Sequence, residues 1–222
     1  MGFWQQWSWE RARDKIRSLP GRLGFEKDNE LRFFGLRLNL VDGSVYDEIL
    51  ERFLTDRECI SLYYILSLYS ETRNEIEEVG ELVSLSRQLC PFIHCPNLRK
   101  NMEAVESLFG SDPQLLYRAA KPFNYQPIEI GDAAVKIYAL PKVPVVLVVW
   151  AGEEGIPPSA EILFDKTAPN YLGSEISDVC EAAMGIARGL TARLILSLAK
   201  MLNLDIDRNR ISFGGYRYTC AD

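Results

Sequence analysis

The chain has 222 residues, of which 47% are hydrophobic and 25% are charged, and this balance excludes a disordered protein. Its net charge of −6, from 31 acidic and 25 basic residues, argues against a nucleic-acid-binding protein, because such proteins neutralise phosphates with clustered Lys and Arg. A chain of this length buries most of its apolar surface on folding, so a bound metal would serve function rather than stability.

An amphipathic helix is predicted for residues 3–19, and residues 1–25 are assigned to it as an N-terminal unit. Basic helices that contain tryptophan are typical of membrane-surface anchors, and this helix has three: Trp4, Trp7 and Trp9. Because Glu10 and Asp14 interrupt its basic face, we expect the helix to dock on the rest of the chain, with membrane-surface binding as the alternative. The sequence leaves open whether the tryptophans face the chain's own core or another subunit, and whether the protein is an oligomer.

A β-hairpin and a central helix are predicted next. In "LRFFGLRLNLVDGSVYDEI", hydrophobic residues alternate from Phe34 to Leu40, and Asp42-Gly43 supplies a tight turn. Thr55 and Glu58 have the spacing of a capping box and predict the start of a helix. That helix, "CISLYYILSLYS", is apolar on nearly every face, so we expect it to be buried.

The middle of the chain has a helical pattern. We interpret residues 76–125 as a helical insert in a single domain of residues 26–222. Helical periodicity runs from Glu75 to Leu89, a second helix ends at Gly110, and a third begins with Asp112 as its cap.

The last third of the chain predicts strands followed by one long helix. Two strands meet at Pro141-Lys142, "AEILFD" is a third strand, and "RISFGGYRYT" is an edge strand. A helix runs from about Glu175 to Leu202 with Ser174 as its cap, and Gly185 and Gly189 allow another element to approach it closely. The fold class is therefore α+β, a mostly antiparallel sheet with packed helices that include one long C-terminal helix.

Short motifs occur in a fixed order within residues 131–175: Gly-Asp, Trp-x-Gly-Glu-Glu, Leu-Phe-Asp and Tyr-Leu-x-x-Glu. This series resembles a family catalogued as a domain of unknown function, found mainly in anaerobic bacteria and archaea. Some members are fused to a cysteine-rich iron–sulfur module, so the resemblance implies anaerobic redox or cofactor metabolism, without an activity or a catalytic residue. Gly155 and Ile176 replace two acidic residues of the family pattern, which weakens any hard-metal site.

Acidic residues at predicted strand ends and at a helix start are one candidate site: Asp132, Glu153, Glu154, Asp165 and Glu175. Converging carboxylates bind Mg²⁺ or Ca²⁺ or act as general acid and base, and Asp165, Glu154 and Glu175 are the catalytic candidates. The alternative is that these residues only form turns and caps. Trp150 and Tyr171 are candidates for lining a cofactor pocket beside Asp165, with burial in the core as the alternative.

A second candidate site is "LCPFIHCPN", which contains Cys90, the single histidine His94, and Cys95. Thiolates and imidazole are ligands for zinc, iron–sulfur clusters or haem iron. The alternative is a pair of buried cysteines beside prolines that end one helix and start the next. Five cysteines and the absence of a secretory-signal pattern predict a cytoplasmic protein with reduced thiols.

Two functions follow from these features. The first is a non-enzymatic accessory or binding protein of anaerobic redox or cofactor metabolism, which binds a small ligand or a protein partner through the sheet or residues 76–98. The second is an enzyme with a carboxylate acid–base or metal site around Asp165. The lack of a nucleophile motif, phosphate loop or dinucleotide fingerprint favours the first.

Overall fold

The computed structural model of the chain describes residues 7–92 and 94–203, and it confirms the α+β fold. Its strands form two antiparallel sheets rather than the one sheet expected. The smaller sheet has the order β1 (Glu30–Phe33), β2 (Leu36–Asn39), β3 (Val45–Asp47) and β4 (Arg52–Phe53). The larger sheet has the order β5 (Leu82–Ser84), β9 (Ser159–Asp165), β8 (Val143–Trp150), β7 (Ala133–Leu140) and β6 (Gln126–Pro127).

The helices pack against these sheets and against one another. They are α1 (Trp9–Ile16), α2 (Asp56–Ser70), α3 (Pro96–Phe109), α4 (Leu115–Ala120), α5 (Pro169–Leu172) and α6 (Ile176–Leu202). A π-helical turn at Leu85–Leu89 and a 3₁₀ turn at Lys121–Phe123 complete the described elements.

The segment predicted as one hairpin contains two tight reversals. Phe34 and Gly35, with φ angles of 53° and 68°, form the first, so that Phe33 pairs with Leu36. Gly43, with a φ of 82°, lies in the reversal that was predicted. The first reversal was missed because Phe34 has the character of one more hydrophobic strand residue, and a positive φ is uncommon for an aromatic side chain.

The larger sheet follows the sequence pattern closely. β7 and β8 are joined at Pro141-Lys142 as predicted, and β9 is the predicted "AEILFD" strand. β8 pairs with β7 on one side and β9 on the other, and it is buried along nearly its whole length, as its valine-rich sequence predicts. One face joins the main core, and the other carries a small apolar cluster centred on Ala134, Val146 and Val148.

Helix α6 lies at the centre of the fold, where it contacts α2, α3, α4 and α5. It is long and apolar enough to cross a membrane by length and composition, but 94% of its most apolar stretch is buried inside the fold, as in the core helix of a globular protein. The predicted close approach is confirmed at Gly185, where a Cβ would stand 3.1 Å from Ile65 Cδ1 of α2. The predicted cap is wrong, because Glu175 and not Ser174 occupies the N-cap position.

Helix α2 begins with the predicted capping box. The Thr55 side chain accepts a hydrogen bond from the Glu58 backbone N–H, and the Glu58 carboxylate accepts one from the Thr55 N–H at 2.8 Å. Arg52 binds the same carboxylate at 2.6 Å. The Arg52 hydrogen bonds, followed by those from Thr55, outweigh burial and lower the pKa of Glu58 to about 2.

The N-terminal helix docks on the chain's own core, as expected. Trp7 contacts the ring of Tyr64 edge-on at 4.8 Å between centroids, and Trp9 packs at 5.7 Å from Tyr63. Helix α1 is shorter than the predicted span of residues 3–19. Trp4, the strand predicted for "RISFGGYRYT" and Cys220 lie outside the described residues.

The prediction of a helix from Glu75 to Leu89 is wrong. Residues up to Glu81 run without regular structure, Leu82–Ser84 form the edge strand β5, and the π-helical turn follows. Backbone N–H groups of Val79 and Gly80 donate to the Asp165 carboxylate, which attaches this segment to the end of β9. Acidic residues of this segment are paired with lysines of the larger sheet, such as Glu78 with Lys136.

A disulfide bond joins Cys90, which ends the π-helical turn, to Cys180 in the second turn of α6. Both cysteines are buried, as the structural interpretation of Cys90 predicted. The prediction that all thiols are reduced is wrong for this pair, because a cysteine remote in sequence supplies the partner. Cys59 and Cys95 are free thiols.

We predict that Glu58→Gln removes part of the pH dependence of stability. Since the folded pKa of Glu58, about 2, lies below the ordinary value of 4.5, its stabilising contribution is complete above pH 4.5 and is lost as the pH falls toward 2. The variant should be less stable than wild type by about 1–2 kcal/mol at pH 6, and the difference should shrink in acid. Urea unfolding at several pH values measures this difference.

The control is Glu51→Gln, which changes an exposed carboxylate paired with Lys200 and should keep the wild-type pH profile. A stability difference between Glu58→Gln and wild type that stays constant from pH 6 to pH 2 would contradict the assignment.

We predict that Cys90→Ala/Cys180→Ala lowers the free energy of unfolding by about 2–4 kcal/mol, because the bond closes a loop of 90 residues in the unfolded chain. Urea unfolding with and without a thiol reductant measures the effect. Reduced wild type should match the variant, and the variant should not respond to reductant. Equal free energies of unfolding for the oxidised wild type and the variant would show that the bond does little to restrict the unfolded chain.

Candidate functional site

The acidic candidates do not converge. Because β8 and β9 are antiparallel, Trp150 pairs with Ser159 at one end, whereas Asp165 lies beyond the pair of Val145 and Phe164 at the other. Glu154 follows Trp150, so about 20 Å of strand separates it from Asp165. Glu153 and Glu154 are exposed in a turn, and Glu175 is the exposed N-cap of α6.

Asp165 is a structural anchor. Its buried carboxylate accepts hydrogen bonds from the Thr167 hydroxyl at 2.6 Å, the Thr167 N–H at 3.0 Å and the Gly80 N–H at 2.7 Å. Burial opposes ionisation, but these hydrogen bonds outweigh it and hold the pKa of Asp165 below its ordinary value. Asp132 has a similar role, since it accepts from the Ala151 N–H at 2.7 Å. Because its hydrogen bonds hold Asp165 ionised, Asp165 is a poor general acid.

The two aromatic candidates lie apart from each other. Tyr171 is fully buried, and its hydroxyl donates to the Ile76 carbonyl at 2.6 Å and accepts from the Ile76 N–H at 2.8 Å. Trp150 is half-buried beside the small apolar cluster on the other face of the larger sheet. Neither side chain lines the cleft beside His94 or the pocket beside Arg193, so core packing accounts for both aromatic residues.

The fold gives Cys90 a different role from His94 and Cys95. Cys90 is bonded to Cys180, whereas Cys95 is a half-buried free thiol at the N-cap of α3 and His94 is exposed. Among residues 7–92 and 94–203, no three or more His, Cys, Asp or Glu side chains are grouped closely enough to hold a metal ion. A zinc or iron–sulfur site built from protein ligands alone is therefore not assembled in the described part of the chain.

His94 and Cys95 nevertheless line an open cleft of about 420 Å³, which we call the insert cleft. Its lining comes from the π-helical turn, from Cys95, Leu98 and Met102 at the start of α3 and along it, from the first half of β9, and from Met184 of α6. Besides Cys95 and His94, the lining therefore includes two methionines, of which Met102 is half-buried and Met184 is buried.

Charges of both signs surround the insert cleft. Arg87 of the π-helical turn lies 3.4 Å from Glu161 of β9, and Arg99 pairs with Glu103 at 2.9 Å. Glu106 accepts from the Ala160 N–H at 3.4 Å, which fixes the far end of α3 against β9. Sequence reasoning missed Met102, Met184, Glu106 and Glu161, since only folding brings α3, β9 and α6 together. The recurrence of Cys95, Leu98, Met102 and Glu106 at helical spacing was the one available signal.

A second, smaller concavity lies between α2, α6 and the smaller sheet. This apolar pocket has a volume of about 70 Å³ and contains Arg193, which forms a buried ion pair with Asp47. The guanidinium packs beside the rings of Phe34 and Phe123, 5.2 and 5.8 Å from their centroids, and the two rings contact each other at 5.3 Å. Sequence reasoning did not identify Arg193 as a candidate. An arginine within so apolar a helix was the signal that it has a buried partner.

Comparison with known proteins gives one match. A sequence model of the family described as a domain of unknown function, DUF3786, matches residues 22–184, which include the whole insert cleft. No curated protein and no solved structure is significantly similar to the chain. Because the match spans well over half of the 222 residues, the chain belongs to this family, DUF3786.

Proposed function

We propose that this chain is a non-enzymatic binding protein of anaerobic redox or cofactor metabolism, located in the cytoplasm, that takes a small ligand in the insert cleft. The observation that carries the proposal is the cleft itself. Its volume of about 420 Å³ lies within the range of about 300–1,000 Å³ of small-molecule sites. Its lining combines apolar side chains with a thiol, an imidazole and charged groups.

The donor set favours a metal-containing cofactor over a bare metal ion. A structural zinc ion or an iron–sulfur cluster takes four protein ligands, and Cys90 is withdrawn from such a set by its bond to Cys180. Haem iron needs only one or two axial ligands, which His, Cys or Met supply. Cys95, His94 and Met102, which all line the cleft, are residues of these types.

The charged side chains would orient the organic part of the ligand. Guanidinium groups bind carboxylates and phosphates in a planar, two-pronged arrangement, and Arg87 and Arg99 line the cleft with large exposed fractions. Glu161 of β9 accepts a hydrogen bond from the Ser84 hydroxyl, and Glu106 of α3 accepts one from the Ala160 N–H. A ligand with both acidic and hydrogen-bond-donor groups therefore matches this lining.

The disulfide fits a role in redox metabolism. In cytoplasmic proteins, disulfides are usually transient and serve catalysis or redox sensing. The Cys90–Cys180 bond joins the end of the π-helical turn, which lines the cleft, to α6, which contributes Met184 to the same lining. Reduction of this bond would loosen that wall, so ligand affinity would depend on the redox state of the cell.

We predict that the protein, purified without oxygen, retains close to one equivalent of haemin per chain, whereas incubation with Zn²⁺ or with Fe²⁺ plus sulfide leaves no stoichiometric metal bound. Cys95→Ser/His94→Gln should lose this binding by about tenfold or more, because the side chains that would coordinate the metal are gone. Elemental analysis and absorption spectra after gel filtration measure the retained metal and its ligation.

The control is Cys59→Ala, which removes a buried free thiol of α2 outside the cleft and should bind as wild type does. Failure of wild type to retain haemin, stoichiometric binding of zinc or iron–sulfide in its place, or equal retention of haemin by the double variant would contradict the proposal. Retention that is lost equally in Cys59→Ala would indicate binding outside the cleft.

A further inference from the structure

Hydrophobic side chains from α2, α6 and both sheets form most of the lining of the apolar pocket. Leu36 of β2 and Ile65 of α2 are buried in its wall, only 3% and 5% exposed. The pocket is open to solvent, and three leucines of its lining are only half-buried, so they reach the surface of the protein. We call these the mouth leucines: Leu50, Leu54 and Leu62.

The three charged side chains of the lining are already paired within the protein. Asp47 and Arg193 form their buried ion pair, and the Arg193 Nη2 also donates to the Gly35 carbonyl at 3.0 Å. The Glu58 carboxylate accepts a hydrogen bond from Arg52 at 2.6 Å. A charged ligand would therefore lose its hydration without gaining a free partner of opposite charge, and this exchange is unfavourable. The lining thus selects apolar groups.

Water is a poor occupant of the same space. A buried water molecule needs about two to four polar partners. Apart from the paired charged groups, the side chains that line the pocket in the described part of the chain include one hydroxyl, that of Ser61. Apolar cavities of this kind stay dry and take up apolar molecules.

The size of the pocket restricts the ligand to a slender chain. A cavity of about 150 Å³ holds benzene, so the volume of about 70 Å³ has room for about three carbon atoms. A free hydrocarbon of that size buries too little apolar surface to offset the cost of association. A longer chain gains more, because its next methylene groups can lie along the mouth leucines.

Charged residues next to the mouth leucines favour a free ligand over a lipid that stays in a bilayer. Glu51 follows Leu50 in the chain, and Asp56 and Arg57 lie just beyond Leu54, and all three charged side chains are exposed. Surfaces that dip into a bilayer carry apolar side chains at the point of contact. A polar group at the free end of the ligand would instead remain in solvent beside these charged residues.

We propose that the apolar pocket binds the end of an unbranched alkyl chain of a small soluble molecule, whose polar end remains in solvent. The terminal methyl group enters the space between α2 and α6, where Gly189 leaves room: a Cβ at this position would have a single neighbour within 4 Å, the Phe34 ring. This site is separate from the insert cleft and stands whether or not the cleft binds a cofactor.

The test uses 1-heptanol as the probe and nuclear magnetic resonance as the readout. Methyl signals of Leu36 and Ile65, inside the pocket, should shift saturably and with the same midpoint as those of the mouth leucines. 1,6-Hexanediol has the same number of non-hydrogen atoms but ends in a hydroxyl in place of the methyl group. It should bind at least about tenfold more weakly, because that hydroxyl would leave water without finding a free partner.

Gly189→Ala should weaken binding of 1-heptanol by about tenfold, because the added methyl group takes up part of a small cavity. The variant should fold, since its Cβ would stand 3.7 Å from the Phe34 ring, an ordinary contact, and alanine favours a helix interior. Ser177→Ala changes an exposed residue of the same helix outside the pocket, so this control should bind as wild type does.

Three results would overturn the proposal: shifts confined to the mouth leucines, equal binding of the two probes, or unchanged affinity in Gly189→Ala. Vesicles of phosphatidylcholine alone should leave all these methyl signals in place. Shifts of the Leu36 and Ile65 signals with vesicles alone would overturn the assignment to a free molecule.

Discussion

The burial of α6 is the constraint on which the rest of the structure depends. A helix of 27 residues that is hydrophobic on most faces must be covered on every side, and α2, α3, α4 and α5 all pack against it. Its polar residues are stable there only with dedicated partners. Arg193 takes Asp47 and the Gly35 carbonyl from the smaller sheet, and Thr191 accepts a hydrogen bond from Asn101 of α3 at 3.0 Å.

Those elements that depend on local chemistry were predictable from the sequence. The capping box of Thr55 and Glu58, the turn at Pro141-Lys142 and the valine-rich β8 each reflect interactions among neighbouring residues, and each is present. The failures have long-range causes. Residues 82–84 form a strand because β9 offers a free edge, and Phe34, which forms the missed reversal, packs its ring against the remote Arg193. Neither the edge of β9 nor the remote arginine can be inferred from the periodicity of neighbouring residues.

For the candidate sites too, features set by neighbouring residues were predictable from the sequence, and those set by long-range contacts were not. His94 and Cys95 were identified because ligand residue types stand close together in sequence, and they do share a cleft. Their expected partner, Cys90, is not available as a metal ligand because its sulfur is bonded to Cys180. Asp165 attracted attention as a carboxylate after a buried strand. The same position explains its actual use, since a strand end is where unpaired backbone N–H groups of a neighbouring segment need an acceptor.

The disulfide between residues 90 and 180 also divides the chain topologically. The covalent loop that it closes contains α3, α4, β6 to β9 and α5, whereas α1, α2 and the whole smaller sheet lie outside it. A backbone cut within the loop, for instance in the exposed turn at Glu153 and Glu154, leaves two fragments joined through sulfur. A mechanical force applied to the chain termini would likewise extend only the segments outside the loop. The oxidised protein is thus a closed ring with two tails, and the reduced protein is a linear chain.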